Sequence, residues 1–449
     1  MTLRTQSFRW LTPWIFATVI SLANAVPASA ETVTLSSESI TSTELPAVVA
    51  ETLENLTKLP SEPHTLVLKG EFSPTSTIKI QWWGDHQLTV SGPALLDGTA
   101  MAEGSETLFM AGRNLAIENL RFTKSRGHAV IVGGNSENYA IRECQFEDCQ
   151  RGAIHVWNDP HTISSTSSRR GTISGNRIAR FNLEKAKWAN DGITVFDQGV
   201  TISSNHITDS PTETNGIRAM GRDLIVEHNM VKGVSVEDSG GIYLWGGAHA
   251  SLFRGNIVRW NHVIGASRGI YLDDGTSGAL VEENVVENSA VCAIFLSGGR
   301  DNRVERNVVD GAPVFVHLDS RCLGWDSRPD YAGIAEESVN RLREALAEPA
   351  GADVLREQYP GLRNLGIDEL TMKSYGRPIS NVVSENFVRD IEHTWELMDF
   401  STAIKTDFQA DNQLADPERI GETEDLSQVS LQERFGFREW DRLEKVLSK

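Results

Sequence analysis

Gly241-Ile242-Tyr243-Leu244-Trp245, Gly269-Ile270-Tyr271-Leu272-Asp273 and Ala293-Ile294-Phe295-Leu296-Ser297 are three copies of one phrase. Each has a small residue, then Ile, a variable residue and another apolar one. Earlier copies are Ala153-Ile154-His155-Val156-Trp157, Gly192-Ile193-Thr194-Val195-Phe196 and Gly216-Ile217-Arg218-Ala219-Met220, and Pro313-Val314-Phe315-Val316-His317 reads as the last. From the second copy on, the steps are 24, 25, 28, 24 and 20 residues. The alternation is that of a strand with one face buried. The period is too short for a propeller blade and lacks the helical spacing of ankyrin or tetratricopeptide units.

A second series runs out of phase with the first. Asn176, Asn205, Asn229, Asn256, Asn284 and Asn307 each stand two residues before an apolar strand residue. Each repeat therefore holds about three short strands, with an Asn at one bend and a loop of variable length at another. One coil of a parallel β-solenoid fits that count, because Asn side chains stacked at a tight bend satisfy one another along the axis. The pattern resembles the right-handed parallel β-helix of the pectate-lyase-like superfamily over residues 62–318 and again 376–400. The expected fold is all-β, with an N-terminal capping helix and a helical insertion near the C-terminal end.

The flanks read as processing, capping and decoration. Arg4 and Arg9, the apolar run Trp10–Ala23 and the small residues Ala28-Ser29-Ala30 make residues 1–30 a signal peptide, so a periplasmic or secreted location is expected. The run is too short for a membrane span, and no Cys precedes Cys144 to carry a lipid. Residues 31–61 form the N-terminal cap, with an amphipathic helix over 44–58. The coils occupy 62–318 and a helical insertion 319–378, where Glu336–Leu346 has helical spacing between Pro329 and Pro360. A final coil and tail fill 379–449; Asn386 resumes the Asn series, and Phe435, Phe437 and Trp440 are candidate anchors.

Composition narrows the partners. The 449 residues carry 42 Lys+Arg against 61 Asp+Glu, a formal charge of −19, which argues against nucleic acid. Four Cys make no disulfide scaffold and no CxxC zinc pair. Cys144 reads as a buried residue in the Asn series rather than half of a bridge to Cys149, while Cys292 and Cys322 are a candidate pair after export.

Alternation places two columns of outward side chains along one sheet. The first reads His155, Thr194, Arg218, Tyr243, Tyr271, Phe295, Phe315, and the second Trp157, Phe196, Met220, Trp245, Asp273, Ser297, His317. So many outward aromatics on a linear stack suit a polysaccharide or oligosaccharide, with Trp157, Arg218, Tyr243, Trp245, Tyr271 and His317 as binding candidates. Cover by the 158–170 and 319–378 segments is the alternative. Asp273 interrupts the aromatics, Asp274 opens the following turn, and Asp238 stands one coil earlier at the edge of the same sheet. Glycosidic hydrolysis needs two carboxyls, and coils about 4.8 Å apart bring such groups into range. Turn chemistry is the competing explanation for an Asp before Gly. Arg300 is either a clamp on a sugar or a turn residue paired with Asp301, as Gly221-Arg222-Asp223 repeats that turn.

Asp238-Ser-Gly-Gly-Ile-Tyr, Gly269-Ile-Tyr-Leu-Asp-Asp-Gly, Gly298-Gly-Arg-Asp-Asn, Arg321-Cys-Leu-Gly-Trp and the tail Asn412–Phe437 resemble a group of secreted bacterial β-helix proteins. That group includes β-helical glycoside hydrolases of the fucosidase and xylanase type, with paired Asp as catalytic acids. The resemblance implies hydrolysis by Asp238 with Asp273 or Asp274 and no cofactor. A polysaccharide lyase or epimerase acting on uronate polymers is the alternative; it wants a cation to neutralise the uronate, and Ca²⁺ is a candidate there. A non-catalytic glycan-binding β-helix is the third reading. Asp159-Pro160-His161 matches the Asp-Pro-His motif of β-helical alginate epimerases over three residues only.

The leader is directly testable. Mass spectrometry of the exported protein should find a mature N-terminus at or near Glu31. A cytoplasmic protein retaining Met1–Ala30 would refute the assignment.

Overall fold

The computed structural model describes residues 31–59, 62–158, 170–185, 190–210, 214–234, 238–246, 255–321, 377–398 and 411–422, with short helical pieces between 340 and 357. The strands join in one parallel system that winds as a right-handed β-helix. Each coil contributes one strand to each of three faces. Sheet one includes Ile193–Phe196, Ile217–Met220, Gly240–Trp245, Arg268–Asp273 and Cys292–Ser297. Sheets two and three are mostly three-residue strands, such as Ile225–Glu227 and Met230–Lys232.

The repeated Ile sets the register of sheet one. Ile193, Ile217, Ile242, Ile270, Ile294 and Val316 align on successive coils, and all are fully buried. Closely packed branched side chains covered on both flanks are what a parallel sheet requires. The last copy lies two residues later than the repeat phrase suggests. Val314 pairs with Cys292, and it is Val316 that pairs with Ile294. Val308–Asp319 is one 12-residue strand running from sheet three into sheet one; Val314 joins the outer apolar cluster with Tyr271 and Phe295, while Phe315 and Val316 both enter the core, so strict alternation breaks at this point.

Asn side chains form a ladder at the bend between sheets two and three. Nδ2 of Asn205 donates to Oδ1 of Asn229 at 2.9 Å, and Asn229 donates to Asn261 at 3.0 Å. The series continues through Asn284 and Asn307 to Asn386, across 79 residues of chain in the last step. Each Oδ1 also accepts a backbone N–H from the coil before it, as Asn229 does from Asn205. Residues just before the ladder, among them His228, Trp260 and Glu283, take positive φ. The amide bonds hold them in that costly region.

Asn256 is not a member of this ladder. It accepts from the Leu224 backbone at the bend between sheets one and two, where Asn302, Asn381 and Asn412 form a second series. Asn261 fills the position in the first ladder. Cys144 occupies the ladder's early end, its N–H donating to Asn176 Oδ1 at 3.0 Å. It is not bridged to Cys149; both are buried free thiols, as is Cys292, and burial pushes all three up to about 12. Cys322 lies outside the described residues.

Strand Thr32–Ser36 already pairs in parallel with Thr65–Lys69. The helix Leu45–Leu56 follows it and buries Leu45, Val49, Leu53 and Leu56 in the core. No helix among the described residues is long and apolar enough to cross a membrane.

Replacing a ladder Asn by Leu strands donors on the preceding coil. Asn229→Leu and Asn261→Leu should each cost about 1–3 kcal/mol in denaturant unfolding. Because the two residues share one hydrogen bond, the double variant should lose less than the sum. Full additivity would show that the amides act independently.

Candidate active site: an arginine among three carboxylates

Outward residues on the last coils of sheet one converge on Arg321. Its Nη2 donates to Asp273 Oδ1 and to Tyr271 Oη, each at 2.8 Å, and its Nε donates to Ser297 Oγ. Tyr243 Oη donates to the other Asp273 oxygen at 2.6 Å. Asp274 and Asp319 lie 3.7 and 3.8 Å from the same Nε. Trp245 Nε1 donates to Asp274 Oδ2 at 2.9 Å.

Burial alone would push the Asp273 carboxyl up. The Arg321 guanidinium outweighs it, with help from the Tyr243 and Tyr271 hydroxyls, and holds the group below the usual carboxylate range. Burial and the charge of Asp273 hold both tyrosines protonated, well above the ordinary phenol value. Burial works against the charge on Arg321, but Asp273 and its neighbours keep the guanidinium protonated. Asp273 is thus an ionised, sequestered group, the opposite of the raised carboxyl a general acid needs.

The register redraws the two columns. His317 pairs with Phe295 and follows Tyr243, Tyr271 and Phe295 in the first column, in place of Phe315. The second column reads Trp245, Asp273, Ser297, Asp319, so Asp319 stands where His317 was expected. Phe315 faces inward and is fully buried. Across the next strand pair, His317 opposes Glu396, and Nδ1 meets the Glu396 carboxylate at 2.8 Å. Burial pulls the imidazole below its ordinary value despite Glu396, aided by Arg268 and Arg321, which leaves it neutral at pH 7. Its Nε2 has no hydrogen-bond partner among the described residues.

Two other guanidiniums approach this face. Arg268 sits 5.0 Å from the Tyr271 ring centroid and 5.3 Å from that of Phe295, and Arg321 is 5.8 Å from Phe295. Arg218 lies over Tyr243 and Trp245 at 5.0 and 5.2 Å. Arg268, Asp319, Arg321 and Glu396 were absent from the sequence-derived site. Asp319 had a signal, since it follows His317 as Asp273 follows Tyr271. Arg268 opens its strand ahead of the phrase; Arg321 stands in the Arg321-Cys-Leu-Gly-Trp motif without a role assigned to it, and nothing local marks Glu396.

Asp238 does not join the cluster. Its side chain is 73% exposed and lies 3.6 Å from Arg268 Nη1. Gly240, two residues on, is separated from the Trp245 register shared by Asp273 by five residues, about 16 Å of strand. The expected Asp238–Asp273 pair therefore sits at opposite ends of the sheet. Arg300 pairs with Asp301 at 3.1 Å, buried at a bend beyond sheet one, which is the turn explanation and not the clamp. Trp157 lies four coils away on the second column. Residues 159–161 are outside the described residues. Among the described residues, no three His, Cys, Asp or Glu side chains are grouped to hold a metal ion.

A parallel β-helix with a charged cluster and an aromatic column on one face is the class this geometry defines. The chain matches the family model described as right handed beta helix region over residues 106–233 and 161–324. No curated protein matches it. Among solved structures it is similar to the pectate lyase Pel9A, at 12% identity over 67% of this chain and 81% of that one, with a TM-score of 0.43. The A-module of the Azotobacter vinelandii mannuronan C-5 epimerase AlgE4 gives 10% identity, 85% and 94% coverage and a TM-score of 0.42. An alginate lyase from Paenibacillus sp. gives 15%, 64% and 91%, with a TM-score of 0.37. What the site does is decided by its own side chains.

Arg321 is the cation that makes the buried carboxylates tolerable. Arg321→Met should destabilise the fold by about 3–5 kcal/mol at pH 7. Asp273 stabilises the fold above the ordinary Asp value of about 3.9, and that contribution is lost as pH falls through its own lower value. In the variant Asp273 takes up a proton more readily, so the stability gap to wild type should narrow in acid. A gap independent of pH would show that the pair does not stabilise the fold.

Proposed function

We propose that this protein is an exported enzyme that modifies a polysaccharide, abstracting the C5 proton of a uronate residue at the sheet-one cluster. The observation that carries this reading is the His317–Glu396 pair beside Arg268 and Arg321. A neutral imidazole held through Nδ1 keeps a lone pair on Nε2, which is buried without a hydrogen-bond partner among the described residues and must be uncovered for substrate to reach it. Guanidiniums nearby offset the substrate carboxylate whose charge otherwise opposes proton loss. Cleavage of the C4–O4 bond, with O4 leaving as an alcohol protonated by solvent, then gives an unsaturated uronate, whereas delivery of a solvent proton to C5 from the face opposite the base, with O4 retained, gives the epimer. Asp273 and the two tyrosines hold Arg321 in place.

Hydrolysis is the second reading, favoured by one observation. Asp274 and Asp319 both flank the Arg321 Nε, at 3.7 and 3.8 Å, so their oxygens lie closer together than the upper limit of roughly 9.5 Å used by glycosidase carboxylates. Asp274 and Asp319, and not Asp238 with Asp273, are then the pair to test.

Incubation with uronate polymers and with neutral glycans separates the two. Proton abstraction predicts ultraviolet-absorbing unsaturated ends, or solvent deuterium at C5; hydrolysis yields saturated reducing ends alone. His317→Ala should lower turnover by at least about 10²-fold, the scale of a lost general base. Glu396→Gln should move the acidic limb of the rate profile to lower pH, because the carboxylate raises the imidazole. Wild-type rates in His317→Ala would exclude the base.

A further inference from the structure

Trp157 is the most exposed of the large apolar side chains among the described residues, at 60%. Its ring is nevertheless held in place. It stacks on His155 at 5.6 Å with an interplanar angle of 12°, and meets Phe196 at 5.2 Å and 68°. Trp157 pairs in register with Phe196, and Phe196 with Met220. Trp245 packs against both Phe196 and Met220, its ring 6.1 Å from that of Phe196. From the same indole, Nε1 donates to Asp274. A packed apolar row one residue wide therefore runs from exposed Trp157 to the Arg321 cluster, with Phe196 and Met220 buried as its floor and Trp245 partly exposed.

The strip has a length. Four strand steps separate the Trp157 register from that of Asp273, about 19 Å at the spacing of neighbouring strands. One step is close to the rise of one pyranose in an extended glycan, so the strip spans about four sugar rings. We propose that Trp157 is a distal sugar-stacking subsite, and that the substrate is a polymer lying along the stack with about four rings between Trp157 and the reacting one. The continuity of the row with the Arg321 cluster, where the proposed function places a sugar, argues for a glycan chain as occupant. An enzyme built this way acts inside long chains and handles short oligosaccharides poorly. The inference rests on the polysaccharide reading above and adds the length and placement of the substrate.

The test is a length series of oligogalacturonates, oligomannuronates and xylo-oligosaccharides, from two to ten units, with wild type, Trp157→Ala and Trp157→Phe. In wild type, kcat/KM should climb with length until the Trp157 subsite fills and then level off. Trp157→Ala should lose on the order of tenfold on long substrates through KM, with kcat and short substrates unchanged. Trp157→Phe should recover much of the loss. Equal losses at every length, or none, would overturn the subsite. Calorimetric binding of the same series keeps the two readings apart. Length-dependent binding that Trp157→Ala abolishes, without turnover, supports the subsite and removes the enzyme. Turnover without length dependence does the reverse, and no binding by any of these glycans overturns both.

Discussion

An amide that both donates and accepts is the interaction on which this molecule depends. Each ladder Asn takes hydrogen bonds from the coil before it and gives one to the coil after it, so no amide is satisfied unless its neighbours are in register. Buried and unpaired, such a group costs more than the bond is worth when made. The ladder is therefore a constraint on spacing first and a source of stability second. It fixes where each bend falls and lets the remaining two sides of a coil vary in length. The step from Asn307 to Asn386 shows how far that tolerance goes: 79 residues of chain separate the two amides, and they still meet at an ordinary 3.0 Å.

Sheet one inherits its geometry from that bend. With the ladder fixing each coil, side chains three strands apart in sequence become neighbours at a constant spacing, and a column becomes a place to assemble chemistry. Asp273, Ser297 and Asp319 stack this way, and Arg321 reaches back across them. One guanidinium at 2.8, 3.7 and 3.8 Å from three carboxylates leaves negative charge in excess, and the Tyr243 and Tyr271 hydroxyls stabilise the Asp273 carboxylate alongside Arg321. This explains why Tyr243 and Tyr271 are among the most deeply buried polar-tipped residues of the face: they are structural partners of a carboxylate before they are candidates to touch a sugar.

Much of the fold was legible because its signals are local and repeated. The small–Ile–x–apolar phrase and the phase of the Asn series each recur often enough to define a coil. Errors arose where two positions satisfy the same local rule. Asn256 and Asn261 both precede a bulky apolar strand residue at a bend, and only the hydrogen-bond partner distinguishes them. Val314 and Val316 both suit the phrase within one long strand, and choosing the former displaced His317 by a column and hid Asp319. The site was less legible for a different reason. Arg321 meets Asp273 across 48 residues, and the Glu396 partner of His317 lies beyond the entire insertion. No periodicity encodes such contacts. Asp238 looked close to Asp273 because both belong to sheet one, but strand length, and not coil spacing, separates them.

Net charge is an average over distances that do not interact. The formal charge of −19 therefore says little about the field on any one face. Charges on opposite sides of a solenoid are screened from one another, since the Debye length at physiological salt is about 8 Å. Many of the acids are spent elsewhere: Glu227 pairs with Arg259, and Glu282 and Glu283 with Arg306, on strands and bends away from sheet one. On the outer face of sheet one, three guanidiniums stand among aromatic rings in a partly buried environment where each charge counts for more than it would in water. The field a glycan meets is set by those few groups and by how many carboxylates each already serves. Arg321 is committed to Asp273, and Arg268 lies 3.6 Å from the Asp238 carboxylate at the other end of the sheet. Arg268 also lies over the Phe295 ring, which meets the His317 ring at 4.3 Å and a 39° tilt, so the guanidinium and the imidazole share one aromatic neighbour.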